Sequence, residues 1–359
     1  MANYISKRGA NVAPSYATAD DLPTSTEVGD LVFVGGQLGI AVSASGYQNC
    51  DKTVIRSYPI FAITDYVTAA GWNLGASYVG INTVHKVSVA SEGNATTGTN
   101  LNRNRFSGHS GTGDFDKGFI GGGKNQNSSP TRWTDVESIT YSSYATAILS
   151  GSLNSAYDIY AAGASSSTDG YIICGLLYPN YLNKVQKRSL TSTASTTTNP
   201  FNLHGTGMAG ATETETHAYV AGHAGTFGTQ SETFTFAFAS NSTTRNVASH
   251  GGNNSGIGVN KSSTHIYISG GAAALNQKQP QKVSIASGGT YAATANAFTV
   301  QRINVAVQES ETKIVWTGGR TGTTNDYDIL TIASEAVSNS VGTLTSYPNG
   351  LSRATALNN

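Results

Sequence analysis

The sequence predicts an all-β chain made of repeated four-stranded units, and three observations predict it. Gly accounts for 41 of 359 residues and Tyr for 18, while Met falls to 2. The segments that look ordered are short runs of Val, Ile, Tyr, Phe and Thr, which suit a pleated, half-buried surface. Gly, Asn, Ser and Thr clusters bound them and read as turns. No run of about 12 residues carries the 3.6-residue apolar spacing of an amphipathic helix. The third observation is an internal repeat, and it decides the architecture.

One repeated element is a β-run ending in Gly. It occurs as LVFVGG at Gly35, DYVTAAG at Gly71, GFIGGG at Gly122, DIYAAG at Gly163, HAYVAGH at Gly222, HIYISGG at Gly270 and KIVWTGG at Gly318. An alternating strand that stops at small hydroxyl residues follows each: IAVSAS, KVSVAS, SITYSS, KRSLTS, FAFAS, KVSIAS and LTIAS. Their last large apolar positions are Val42, Val89, Tyr141, Leu190, Phe238, Ile285 and Ile332, at intervals of 47, 52, 49, 48, 47 and 47. That is propeller spacing. A blade needs four short strands with their turns, and it cannot bury both faces alone, so blades stack around an axis.

In each unit the Gly-terminated run becomes the second strand and the alternating run the third. The residues between supply the fourth strand of one blade and the first of the next. Seven units predict seven blades. Gly35 and Val42 leave no room for a loop in the first unit, so six blades plus an N-terminal β-hairpin module is the alternative. The last strand, near residues 352–357, is expected to pair with residues 30–35. That pairing would close the ring and remove two exposed sheet edges.

Residues 105–123, RFSGHSGTGDFDKGFIGGG, resemble the kelch repeat, in which Arg and His precede a Gly-Gly strand. TRNVASHGG, with Arg245 and His250, and VQRINVAV, with Arg302, are weaker copies. The Tyr and Trp that normally follow Gly-Gly in kelch units are missing from most of these. The resemblance is therefore to a kelch-like β-propeller, and it covers residues 31–359.

Ahead of the predicted ring, residues 1–30 form a polar segment with Pro14 and Pro23 and no copy of the repeat. The string ATADDLPTSTEVGDLVFVGGQLGIAVSASGY resembles a short module in virion structural proteins of tailed phages, marine and cyanophage-type ones in particular. The resemblance implies a virion component of tail, fibre or capsid surface. Residues 1–30 would attach to other virion proteins within a larger assembly, and the propeller would be displayed outward with host-surface polysaccharide as a further partner. The competing class is a free-standing kelch-like propeller that binds or processes glycans.

Composition removes other classes. Charged residues are 12% of the chain, against ~25% in an average domain, and Lys+Arg and Asp+Glu are 21 each. A nucleic-acid partner would need a cationic excess. No apolar stretch of about 20 residues is present to span a membrane, and the N-terminus shows no secretory apolar core. Cys50 and Cys174 cannot build a disulfide framework or a zinc site. Glycoside hydrolysis needs two carboxylates flanking one bond, whereas Asp114, Asp116, Asp135 and Glu137 read as turn and strand-start residues. No nucleophile elbow or P-loop occurs. The expectation is a non-enzyme without cofactor or metal.

Several side chains remain as candidates. His217 and His265 occupy the same place in the repeat and read as structural. His109, His204 and His250 fall in predicted first strands beside the channel, where three imidazoles could meet a transition metal; a structural role in the kelch-like units competes. For binding, the candidates are Trp72, Trp133, Tyr171, Tyr178 and Tyr181, the three tyrosines lying on a predicted loop over residues 164–181. Ring faces cover the apolar CH surface of a sugar while Asn and Ser bond its hydroxyls. Packing of the loop against itself is the competing role.

Overall fold

A computed structural model of the chain describes the strands named below and most of the turns joining them. The longer stretches outside the described residues are 1–14, 17–30, 50–64, 74–79, 126–131, 154–160, 191–196, 201–205, 225–230, 247–256, 271–277, 300–305, 318–325 and 344–350. The chain is all-β. Among the described residues there is no helix, and so none long and apolar enough to cross a membrane.

Two compact units divide the chain, Met1–Thr64 and Asp65–Asn359. The first contains one sheet of β1 (Ser15–Tyr16), β2 (Leu31–Val34), β3 (Gln37–Ser43) and β4 (Gly46–Asn49), in that order. β1 runs parallel to β2, and the other pairings are antiparallel. The run LVFVGG and the run ending at Val42 are therefore the two arms of one hairpin. The division between units falls after Thr64, where the sequence placed a boundary after residue 30.

In the second unit, β5 (Asp65–Asn73), β6 (Gly80–Ser88) and β7 (Thr96–Thr97) begin one sheet. Next come β8 (Ser107–Gly113), β9 (Lys117–Lys124), β10 (Asp135–Thr140) and β11 (Thr146–Ser152), an antiparallel meander. The following sheet starts with β12 (Ala162–Ser165) and β13 (Asp169–Ile173). A small hairpin, β14 (Leu176–Leu177) with β15 (Asn180–Tyr181), is inserted before β16 (Lys184–Ser189) and β17 (Thr197–Pro200) complete it. Three more meanders follow. They are β18 (Thr206–Glu213), β19 (His217–Ala224), β20 (Ser231–Ala237) and β21 (Ser242–Asn246); then β22 (Ile257–Lys261), β23 (His265–Gly270), β24 (Gln281–Ser284) and β25 (Gly288–Ala293); then β26 (Ala306–Glu309), β27 (Lys313–Thr317), β28 (Asp326–Thr331) and β29 (Ala336–Thr343). Finally β30 (Leu351–Ser352) and β31 (Thr355–Leu357) pair antiparallel with β5.

The last pairing corrects one expectation. The C-terminal strand lies on β5, with Leu357 opposite Val67, and not on residues 30–35, because the partners of β2 are β1 and β3. A second correction concerns DIYAAG. Its Gly163 lies in β12, the first strand of its sheet, and the second strand is β13, DGYII. Both runs are apolar and both end near Gly, so the sequence pattern fitted either.

The second strands explain why they read as nearly continuous apolar runs. Where their side chains are described, in β9, β13, β19, β23 and β27, they are buried on both faces, so consecutive residues enter different cores. Ile120 packs with Val84, Leu101 and Ile139, while its neighbour Phe119 packs with Val136, Leu153 and Ile172. Tyr171 and Ile173 face Val220, Phe234 and Phe236. Ala221 meets Val259, Ile266 and Ile268, and Tyr267 meets Ile314, Trp316 and Leu330. Each of these clusters draws on two successive sheets, so no sheet owns its core. Burying one such side chain stabilises by about 1.5–3 kcal/mol. The first strands also touch in succession: β8 beside β12, β12 beside β18, β18 beside β22, β22 beside β26, β26 beside β31 and β31 beside β8.

The repeat extends to backbone detail. Leu190, Phe238, Ile285 and Ile332 each donate their N–H to the carbonyl of a threonine, Thr168, Thr216, Thr264 and Thr312 respectively. Three residues after the apolar anchors Val89, Tyr141, Phe238, Ile285 and Ile332 stand Glu92, Tyr144, Asn241, Gly288 and Glu335, all with positive φ between 46° and 59°. The left-handed residue turns the chain from third to fourth strand in these five units.

Candidate functional site

Two charged pairs of matching spacing build the site. Arg103 and Arg105 flank Asn104 just before β8, and Asp135 and Glu137 stand two apart on β10. Arg105 is held by its backbone N–H on the Ile81 carbonyl at 2.9 Å. Its side chain and that of Glu137 are both 0% exposed, with Arg105 Nη2 2.8 Å from Glu137 Oε1. Nε donates to the same oxygen at 3.2 Å, Nη2 also donates to Asp135 Oδ1 at 2.7 Å, and Nη1 donates to the Gly122 carbonyl. Gly122 and Gly123 have φ of 75° and 89°, a conformation glycine adopts without steric cost. The carbonyls of this bend serve Arg105 and Trp133.

The second oxygen of Glu137 accepts both the backbone N–H of Asn102 at 2.6 Å and its side-chain amide at 3.2 Å. Asp135 Oδ2 accepts Arg103 Nε at 3.0 Å. Arg103 lies with its guanidinium carbon 4.6 Å from the Trp133 ring centroid. Trp133 is fixed twice, by its backbone N–H on the Gly123 carbonyl at 2.8 Å and by indole Nε1 on the Asn104 carbonyl at 3.2 Å. The buried end of this network locks two sheets together. The outer end presents a half-exposed arginine over an indole.

Each carboxylate in the network is already bonded by a guanidinium, so the arrangement supplies positioning and charge rather than a paired acid and base. Asp114 and Asp116 lie outside the described residues. Among the described residues no group of three or more His, Cys, Asp or Glu side chains is arranged to hold a metal ion. His204 and His250 lie outside the described residues, and for His109 only its backbone place in β8 is described.

His217 and His265 occupy matching turns. Thr214 Oγ1 accepts the His217 N–H at 3.3 Å and Ser262 Oγ accepts the His265 N–H at 3.1 Å. Each imidazole Nδ1 sits 2.7–2.8 Å from the preceding threonine hydroxyl. These are turn-closing contacts of the kind short polar side chains make. His85 is buried, and burial holds its pKa at about 4, so it is neutral at neutral pH.

Of the five aromatic candidates, Trp133 and Tyr171 have described side chains. Trp133 stands in the site just described. Tyr171 is 1% exposed in β13 and stacks on Phe238 at 4.6 Å, a core ring. The stretch expected as its loop contains β13, then Cys174, buried in the same core, and then the β14–β15 hairpin. Tyr181 is in β15 opposite Leu176, Trp72 is in β5 opposite Gly80, and Tyr178 lies outside the described residues. Of the three tyrosines, Tyr171 is therefore placed in the core and not on a loop. Arg103 went unnoticed in the sequence, although Arg-x-Arg and Asp-x-Glu at strand spacing, in a chain with 12% charge, was the signal for it. No known protein-family model matches the chain, and no curated protein is significantly similar to it.

Proposed function

We propose that the chain is a non-enzymatic structural protein of a phage particle, whose unit Asp65–Asn359 is a six-bladed kelch-like propeller displayed for adhesion. The phage assignment is carried by the D-L-P…G-D string, which sits within the separately compact unit Met1–Thr64. That unit would attach to other virion proteins. Among the described residues the second unit has six sheets of four or five strands besides the β14–β15 hairpin, and their first strands touch in succession from β8 round to β31, which supports six blades over seven. On this reading the C-terminal strand supplies the first strand of the β5 blade. A rigid scaffold bearing recognition loops suits adhesion to host-surface polysaccharide. The free-standing glycan-processing alternative would want a pair of available acids, and Asp135 and Glu137 are held by guanidinium groups.

Deleting residues 2–64 tests the attachment. Particles from a host supplying only the shortened chain should lack it by mass spectrometry, while its melting temperature stays near that of the intact second unit. Equal incorporation of the shortened chain, or absence of the full chain from purified particles, would overturn the assignment.

A further inference from the structure

We propose that Arg103 and Trp133 form a binding site for a carboxylate-bearing sugar, the carboxylate taken by the guanidinium and the ring's CH surface set beside the indole. The inference rests on the adhesive reading above and names the ligand class. Three observations carry it. Arg103 is already oriented: Nε is spent on Asp135 at 3.0 Å and the guanidinium carbon lies over the Trp133 ring, 4.6 Å from its centroid. Its side chain nevertheless stays 40% exposed, and its two terminal nitrogens have no hydrogen-bond partner among the described residues. They form the fork that matches a carboxylate with two parallel bonds.

The second observation is rigidity. Asn102 is tied to Glu137 through two donors, and Trp133 is tied through backbone and indole nitrogens. A site held this way loses little side-chain freedom on binding. The third is the aromatic neighbour, Trp133, whose ring centroid lies 4.6 Å from the Arg103 guanidinium carbon. The indole distinguishes a saccharide from a bare acidic peptide, because a sugar ring offers a rigid face of several CH groups to an aromatic ring and a flexible acidic side chain offers only one or two methylenes.

The test uses the full-length chain and calorimetric titration with an oligogalacturonate, its fully methyl-esterified form and polyglutamate. The acidic oligosaccharide should bind about tenfold or more tightly than the ester, the difference expected of one charge-assisted pair. Arg103→Gln should lose a similar factor with an unchanged melting temperature, since a half-exposed ion pair contributes little to stability. Arg103→Lys, which keeps the charge but not the fork, should recover only part. Equal binding of acid and ester, undiminished binding by Arg103→Gln, or no binding of the oligogalacturonate would overturn the proposal. Polyglutamate binding as tightly as the sugar would overturn the ligand class. Loss of this binding with normal particle incorporation would remove this inference and leave the structural assignment standing.

Discussion

Replacing Arg105 with Met should destabilise the protein by about 3–5 kcal/mol, and adding Glu137→Leu should give part of that back. The magnitude follows from burial. Both side chains are 0% exposed, so removing the guanidinium leaves the Glu137 carboxyl group without its partner where water does not reach. Losing one member of a buried pair typically costs about 3–5 kcal/mol, whereas replacing both with apolar groups is often close to neutral. The Gly122 carbonyl loses its donor as well, adding about 1 kcal/mol. Asp135 is 19% exposed on its side chain and can turn to water. Recovery in the double variant is incomplete, because the two Asn102 donors lose their acceptor when Glu137 goes. The double variant should therefore be about 2 kcal/mol more stable than the sum of the single losses implies. Urea unfolding of the four chains, followed by far-ultraviolet dichroism, gives the coupling. If the two losses add within about 0.5 kcal/mol, the pair is not what holds these sheets together and the reasoning fails.

Acid should weaken the fold through His85. The unfolded chain takes up a proton there near pH 6.5 and the folded chain only near 4. The contribution is complete above 6.5 and is lost as pH falls toward 4, by about 3 kcal/mol; a His85→Gln chain should show a flatter urea midpoint across that window. Gly121→Ala would bring a Cβ within 2.6 Å of Ile172 Cδ1, which should cost about 1–2 kcal/mol. Combining it with Ile172→Val, which removes that carbon, should cost less than the two changes summed, as read from thermal melts. Deleting residues 350–359 uncovers the edge of β5, and should lower the melting temperature and raise light scattering on heating. An unchanged melt would mean the strand contributes nothing to the sheet.

The second and third strands were legible from sequence in most units because burial on both faces leaves unbroken apolar runs such as HAYVAG and HIYISG. The interval of about 48 residues survives in the structure as the turn residues Glu92, Tyr144, Asn241, Gly288 and Glu335. The first unit is ambiguous because any half-buried hairpin shows the same alternation, and Val42 falls one period before Val89 while lying in a different compact unit. Tyr171 misled for a related reason. DGYII is short and bracketed by Gly and Cys, so it read as loop, although Tyr171 pairs with Lys187 on β16 and fills a core. The Arg103–Trp133 contact was hidden because it joins residues about thirty positions apart, one in the segment ahead of β8 and the other just ahead of β10, and only the paired spacing of charges announced it.

The alternation of neighbouring residues between two cores limits how this gene can vary in length. Dropping one codon within β13 would send Ile172 where Tyr171 and Ile173 belong, and would disturb the contacts of three sheets at once. The β14–β15 hairpin shows where length is free to change. It adds residues between β13 and β16 while the Ile173–Val185 pairing stays in step. Foreign epitopes or affinity tags should therefore be carried best in the connections between second and third strands, which are also the segments where a lineage under selection could diversify without rebuilding the scaffold.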